Sequence, residues 1–326
     1  MTPLVSIITP ALNAEKTIAR SLRSALNQSY DRLLVVVIDA SSNDLTERVV
    51  RSMKDDRVRY LRQTPGTRGQ AAARNQGIRA FESDFVTFLD ADDYYEPVKV
   101  ATQVQFLQNY PEHGAVYCDV LYRDVDKPGL LLEGRWPTPS GFIERSLIQA
   151  SVININTLMC RRRFFTEGLQ FDEERAWWPE DWQLYLRLAS RQCSFGHVGA
   201  KLVNVELRET SNAPFDTMYV VKKNTLDMLA DAASRSRDPL CADAGARAVA
   251  KLHRSYMLAC LMAGRMDLAR EAATEALPRG LRGAFMAVSS IVPTALLRKM
   301  MVAIWKVGRR RHYKAVPSVA GQQTGY

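Results

Sequence analysis

Three sets of acidic residues stand where carboxylates can do chemistry. Asp90-Ala91-Asp92 closes one apolar run with Asp93 behind it, Asp39 closes another, and Glu180-Asp181 opens a helical segment through Trp182, Leu184, Tyr185 and Leu188. Hard divalent cations such as Mg2+ or Mn2+ take oxygen ligands, and Mg2+ is commonly held by one or two carboxylates with substrate phosphates and water completing its shell. A D-x-D with room beside it is therefore a site that a diphosphate completes. The competing reading is structural: Asp92 and Asp93 cap the helix that Pro97 opens, since carboxylates favour helix N-termini. The place of the motif at the carboxyl end of a strand favours ligand binding. Glu180-Asp181 also reads two ways, as an acidic first turn that offsets a helix dipole or as a general base accepting a proton from an attacking hydroxyl. On the residues alone the first is the stronger. Trp177, Trp178 and Trp182 offer flat surfaces for stacking a sugar ring, or serve as core aromatics.

The elements that must position these residues alternate. Leu4 to Thr9, Leu33 to Ile38, Val58 to Leu61 and Phe85 to Leu89 are short apolar or β-branched runs, and Ala115 to Cys118 resumes the pattern. Between them lie helical periods: one after Asn13 with Ile18, Leu22, Ala25 and Leu26 on one face, one capped by Asn43-Asp44 through about Met53, one over Gln70 to Phe81, and one with Pro97 in its first turn. The order β-α-β-α-β-α-β predicts an α/β domain with a mostly parallel sheet flanked by helices. Ligands of such sheets bind outside the carboxyl ends of the strands, where Thr9 to Asn13, Asp39 to Asp44 and Asp90 to Asp93 fall. There is no G-x-G-x-x-G after the first strand and no G-x-x-x-x-G-K-[ST], which disfavours dinucleotide and P-loop readings.

Charge narrows the partners. The chain of 326 residues carries 44 Lys+Arg against 35 Asp+Glu, a net +9. Nine of the basic residues lie in 276–326, where no acid occurs, so 1–275 holds 35 of each sign. A neutral body does not suit a nucleic-acid duplex, and no nucleic acid is expected. Five widely spaced cysteines without a C-x-x-C pair read as small buried hydrophobes in a reducing compartment. With no signal-like start and no long apolar span, the expected location is cytoplasmic, or peripheral on the inner face of the cell membrane.

Six stretches in order resemble the family 2 glycosyltransferases of the GT-A fold: Val5 to Glu15, Ser24 to Tyr30, Val37 to Asp44, Ala72-Ala73-Arg74-Asn75-Gln76-Gly77, Phe88 to Asp93, and Glu180-Asp181-Trp182 with Arg187-Leu188-Ala189. The likeness spans roughly residues 3 to 210. It implies a Rossmann-like nucleotide-diphospho-sugar transferase domain and inverting transfer from a UDP-, GDP- or dTDP-sugar to a glycan or lipid-linked acceptor. By the same likeness Thr9, Glu15 and Asp39 line the nucleoside pocket, Arg74 contacts base or diphosphate, and Asp90 meets the ribose. Asp92 then holds a Mg2+ or Mn2+ ion, Asp181 is the base, and Trp178, Glu180 and Trp182 flank the acceptor or its sugar.

Three departures qualify the likeness. Ala40-Ser41 stands where the family commonly has a second Asp and then Gly. No Q-x-x-R-W occurs, which points to a single addition per encounter, and Leu207-Arg208-Glu209-Thr210 lacks the late His; His197 upstream reads as structural. Pro65 to Gly69 reads as a loop closing over the diphosphate or as a surface turn. A catalytically degenerate GT-A scaffold in a membrane polysaccharide assembly is the alternative.

The expected division is a GT-A domain over 1–215, a helical region over 216–277 with a tetratricopeptide-like hairpin at 258–272, and a basic amphipathic tail over 278–326. After Pro214 no further strand is expected. Residues 281–313 suit an anionic membrane surface, where apolar burial and Lys/Arg attraction add, and the helical region suits packing on the body or pairing in a homodimer.

Overall fold

The computed structural model describes residues 2–125, 127, 129–134, 136–174, 179–207, 215–262, 265–276, 281, 286 and 313–316. Its first half follows the hydrophobic pattern. Strands β1 (Val5–Ala11), β2 (Leu33–Asp39), β3 (Val58–Arg62) and β4 (Phe85–Phe88) alternate with helices α1 (Ile18–Leu26), α2 (Leu45–Ser52) and α3 (Gly69–Ala80). The four strands pair in parallel in the order β3-β2-β1-β4. Ala11 stands opposite Asp39 and Ile8 opposite Phe88, so the acidic residues that follow β2 and β4 emerge at one edge.

The second half makes the sheet mixed. In chain order come β5 (Tyr94–Tyr95), α4 (Lys99–Asn109), β6 (His113–Asp124), β7 (Leu131–Gly134), α5 (Glu144–Gln149), a 3-10 turn at Ile155–Thr157, β8 (Met159–Arg161), α6 (Arg163–Thr166), α7 (Glu180–Ser190) and β9 (Ser194–Leu207). β8 joins β4 and β6 antiparallel, β6 and β7 form an antiparallel ribbon, and β9 runs parallel to β6 while pairing antiparallel with β5. Helices α8 (Phe215–Arg235), α9 (Leu240–Met262) and α10 (Met266–Ala276) follow. A last strand, β10 (Tyr313–Val316), returns to pair antiparallel with β7. The expectation of no strand beyond Pro214 is thus corrected, because β7 leaves an open edge that four tail residues complete.

Alternate strand residues face two cores, as a sheet covered on both faces requires. Ile7, Val35 and Val37 pack with Ile18, Leu22, Val100 and Leu107 on the face of α1, α2 and α4. Ile8, Val36 and Ile38 pack with Ala73, Ile78, Leu184 and Leu188 on the opposite face, and Met228, Leu229, Cys241 and Ala244 of α8 and α9 belong to this same core. The helical region therefore shares its core with α5 and α7. Gly77 lets α3 approach β1, since a Cβ there would fall 2.7 Å from Ile8 Cγ2. The α9–α10 hairpin has a small core of its own around Met257, Leu261 and Ala269. All five cysteines are buried thiols, none of them in a disulfide.

Two local expectations change. Asn13 does not cap α1: it sits in the left-handed region at φ 50, and the helix starts at Ile18 after Thr17. Its N–H is drawn instead to Ser41 Oγ at 2.7 Å, while Ala14 N–H goes to Thr46 Oγ1 at 3.0 Å. Pro97 precedes α4 rather than opening it, because Tyr94 and Tyr95 are held extended against Asn204 and Val203. Residues 281–313 lie outside the described residues except Leu281, Met286 and Tyr313. Among the described residues no helix is long and apolar enough to cross a membrane.

Candidate active site

Parallel strands deliver the first set of residues to one edge. Asp39, at the end of β2, is 1% exposed and fully engaged: Oδ1 accepts from Ser41 N–H at 2.8 Å and from Ser41 Oγ, and Oδ2 accepts from the Tyr60 hydroxyl at 2.9 Å. Burial, reinforced by the Asp39 charge, pushes the Tyr60 hydroxyl well above its ordinary value. Ser41, one of the two departures after Asp39, therefore ties the strand end to the Asn13 turn. Thr9 is fully buried and its Oγ1 has no partner among the described residues, and the same holds for Oε2 of half-buried Glu15. Such atoms are costly unless a ligand or water meets them.

The turn after β4 separates its three acids by environment. Asp93 points inward, accepting from Asn156 Nδ2 at 2.6 Å and from Glu206 N–H at 3.0 Å, and burial followed by the Asp90 charge pushes it up to about 8. Asp90 is a quarter exposed at its side chain, and its N–H donates to Asn156 Oδ1 at 2.7 Å. Asp92 is exposed, with its backbone carbonyl held by Arg20 Nη2 at 2.8 Å. Only Asp90 and Asp92 of the three can face a solvent-borne ligand. Asn156, which orders this turn, lies in the 3-10 turn before β8 and carries no sequence signal of that role.

Helix α3 supplies the bridge to the second set. Arg74 is 1% exposed, and its guanidinium donates from Nη2 to Asp90 Oδ1 and Gln70 Oε1 and from Nη1 to Glu180 Oε1, each at 2.9 Å. Burial opposes the charge, but Asp90 and Glu180 outweigh it and hold Arg74 protonated. Direct contact with base or diphosphate, implied by the resemblance, is not what this geometry offers, since three protein oxygens already take the Nη groups. The adjacent Asn75 clamps the approach to α7 by donating to Phe171 O at 2.9 Å and accepting from Phe171 N–H at 2.9 Å.

Glu180 and Asp181 form the acidic first turn of α7. Asp181 Oδ1 accepts from Trp182 N–H at 2.7 Å; burial and then the Glu180 charge push its carboxyl up to about 6, against the lowering pull of Arg74. Asp181 opens into a cavity of about 380 Å3 that also holds Tyr117, Asp119, Glu133, Trp136, Asn154 and Lys201. Asp119 is paired with His197 Nε2 at 2.8 Å, which makes that imidazole structural. Trp182 does not offer its polar edge to a sugar, because Nε1 donates to Leu147 O at 2.6 Å and the ring packs on the core. Trp178 lies outside the described residues. Trp136 was not singled out by any motif, having neither acid nor helical period beside it. A second cavity of about 530 Å3 between α5, α7 and α8 is lined by Arg187 but by none of the candidate site residues. The Pro65–Gly69 segment is an exposed turn closed by Thr67 N–H to Thr64 O at 3.1 Å.

Comparison with known proteins bears on the family and the fold. The profile described as Glycosyl transferase family 2 matches residues 6–168. An uncharacterized glycosyltransferase of Rickettsia bellii is 30% identical over 206 residues, covering 63% of this chain and 29% of the relative. The UDP-Glc:alpha-D-GlcNAc-diphosphoundecaprenol beta-1,3-glucosyltransferase WfaP of Escherichia coli is 34% identical over 105 residues, 32% of this chain and 41% of its own. The chain thus spans well under two thirds of these relatives. Among solved structures, the mannosyltransferase PcManGT from Pyrobaculum calidifontis, in complex with GDP-Man and Mn2+, superposes with a TM-score of 0.59 at 18% identity, covering 95% of this chain and 87% of that one. At that identity the likeness speaks for the fold.

Proposed function

Since the chain belongs to glycosyl transferase family 2 and has the GT-A fold, we propose that it transfers a sugar from a nucleoside diphosphate donor to a hydroxyl of a glycan or lipid-linked acceptor, with inversion, in polysaccharide or glycolipid synthesis. The observation that carries the reading is one arginine, Arg74, fixing Asp90 at the strand edge and Glu180 beside Asp181 on α7. That arrangement sets a donor side against an acceptor side, as attack from the opposite face of the sugar demands.

On the donor side, Thr9 Oγ1 and Glu15 Oε2 are buried atoms that a nucleoside can satisfy, and Asp90, a quarter exposed at its side chain, is assigned the ribose. Asp39, with both oxygens engaged, shapes the pocket through the Ser41 turn. The acids after β4 fit a divalent cation whose shell a diphosphate completes: Asp92 is exposed, Asp93 is turned away, and no group of three or more His, Cys, Asp or Glu among the described residues is placed to hold an ion unaided. Bound there, Mg2+ or Mn2+ would offset the charge gained by the departing nucleoside diphosphate. Arg74 acts through Asp90 and Glu180 rather than on the donor. On the acceptor side, Asp181 Oδ takes the proton of the attacking hydroxyl. A carboxyl at about 6 is ionised at neutral pH yet more basic than an ordinary aspartate, which suits that task.

WfaP is named for a UDP-glucose donor and a diphosphoundecaprenol-linked acceptor, and PcManGT was solved with GDP-Man and Mn2+. Those chemistries define the donors and acceptors to try here. Residues 281–313 supply the proposed contact with an anionic membrane where such an acceptor resides, a contact that co-sedimentation with anionic vesicles before and after removing 279–326 would reveal. The engaged Asp39 favours a second reading, a non-catalytic scaffold that binds no nucleotide. Nucleoside diphosphate release from a donor panel decides between them: release should require Mg2+ or Mn2+ and an acceptor, and Asp181→Asn should abolish it while donor binding persists. Release by Asp181→Asn at the wild-type rate would remove the base assignment.

A further inference from the structure

The cavity that holds Asp181 contains an indole with an unusual seat. Trp136 follows β7, and its ring lies so close to Gly134 that a Cβ at 134 would fall 2.2 Å from Nε1 and 2.7 Å from Cδ1. Only glycine leaves room for the ring in this position. Despite that close seat, Trp136 remains 39% exposed and lines the cavity. A large aromatic surface left open in a polar cavity suits a ligand with one apolar face and a polar rim.

A pyranose has that form: its C–H face is apolar and its hydroxyls point outward. The cavity supplies partners for those hydroxyls in Asn154, in Asp119 beside His197, and in the Glu133–Lys201 pair. Trp182, next to the base in sequence, does not take the role, because its ring packs on the core and its N–H is bound to Leu147 O.

We propose that Trp136, seated on Gly134, is the stacking platform for the acceptor sugar and presents one of its hydroxyls to Asp181. This rests on the glycosyltransferase reading above, since it takes Asp181 as the proton acceptor. Trp136 is thereby a determinant of which acceptor ring fits, independent of the donor.

The test labels the full chain with 5-fluorotryptophan, which marks all five tryptophans, and assigns the Trp136 resonance with Trp136→Phe. The methyl glycosides of glucose, galactose, mannose and N-acetylglucosamine are titrated in turn, and nucleotide sugars with Mn2+ are titrated on the same samples. At least one glycoside should shift the Trp136 resonance saturably. Its affinity should fall roughly tenfold in Trp136→Ala and recover to within about threefold in Trp136→Tyr. Gly134→Ala, which displaces the indole, should weaken it as Trp136→Ala does. The proposal is overturned if no glycoside moves that resonance, or if Trp136→Ala binds the glycoside as tightly as wild type. Nucleotide-sugar binding retained alongside either result removes the platform alone, whereas its absence from the wild-type protein removes the underlying reading.

Discussion

Arg74 and Glu180 are 106 positions apart in sequence, yet Nη1 and Oε1 lie 2.9 Å apart in a site where the arginine is buried. The same guanidinium holds Asp90, so helix α3 fastens the donor-side turn to the first turn of α7. Truncating Arg74 to Met leaves two carboxylates facing each other with no cation between them. Each is a quarter exposed and can regain some water, so the expected loss is about 2–3 kcal/mol, below the full cost of breaking a buried pair. Glu180→Gln, which keeps a hydrogen-bond acceptor, should lose less, about 1 kcal/mol. Urea unfolding of both variants measures this, and equal losses would show that the bridge is not the main effect.

The pH dependence of transfer follows from Asp181. Burial raises this carboxyl to about 6, and a general base works only when deprotonated. The rate should therefore climb about tenfold per unit below that value and level off above it. Neutralising Glu180 by Glu180→Gln removes the nearest like charge that raises Asp181, so the climb should move to lower pH. A rate profile flat between pH 5 and 7 would contradict the assignment.

Lys99 makes a separate prediction about stability. Its amine is fully buried, donating to Thr87 Oγ1 and lying 4.1 Å from the Tyr95 ring centroid, and burial lowers it to about 7. Between that value and the ordinary lysine range near ~10.4, the unfolded chain binds a proton that the folded chain does not. Stability contributed by this group consequently rises with pH across that window, by up to about 1.4 kcal/mol per unit. Lys99→Met should flatten the rise and be more stable than wild type near pH 7, with the gap closing toward pH 10. Parallel stability curves for the two proteins would rule this out.

The pairing of β10 with β7 predicts a local effect of the C-terminus. Tyr313 stands opposite Gly134 and Val316 opposite Leu131. Removing residues 313–326 exposes that edge, so amides in 131–134 should exchange faster by at least tenfold while those of β1 and β2 stay protected. Unchanged exchange in 131–134 would show that β10 does not brace the strand.

Much of this was legible in the sequence where one segment carries its own pattern. The runs around Val5–Ala11, Leu33–Asp39 and Phe85–Phe88 are buried on both faces and read as strands without help. Asp90 and Asp92 were nominated by their place at a strand end, and Asp181 only through the resemblance to the family. What stayed hidden depends on distant partners. Tyr94–Tyr95 is too short to show a period and is a strand only because β9 lies beside it. Asn13 has the right side chain for a cap, but Ser41 claims its backbone. Arg74 looks like an exposed anion-binding cation until Asp90 and Glu180 close around it. Trp136 matters because Gly134 clears space for it, a relation that no spacing rule expresses.

The most direct test is a thermal-shift titration of the purified chain with UDP-, GDP- and dTDP-sugars, each with and without Mn2+. At least one nucleotide sugar should stabilise the wild-type protein only when the metal is present, by about 2.7 kcal/mol at a hundredfold excess over Kd. Asp92→Ala should lose that stabilisation and Asp181→Asn should keep it. Absence of any metal-dependent shift in the wild-type protein, or an undiminished shift in Asp92→Ala, would contradict metal-assisted donor binding.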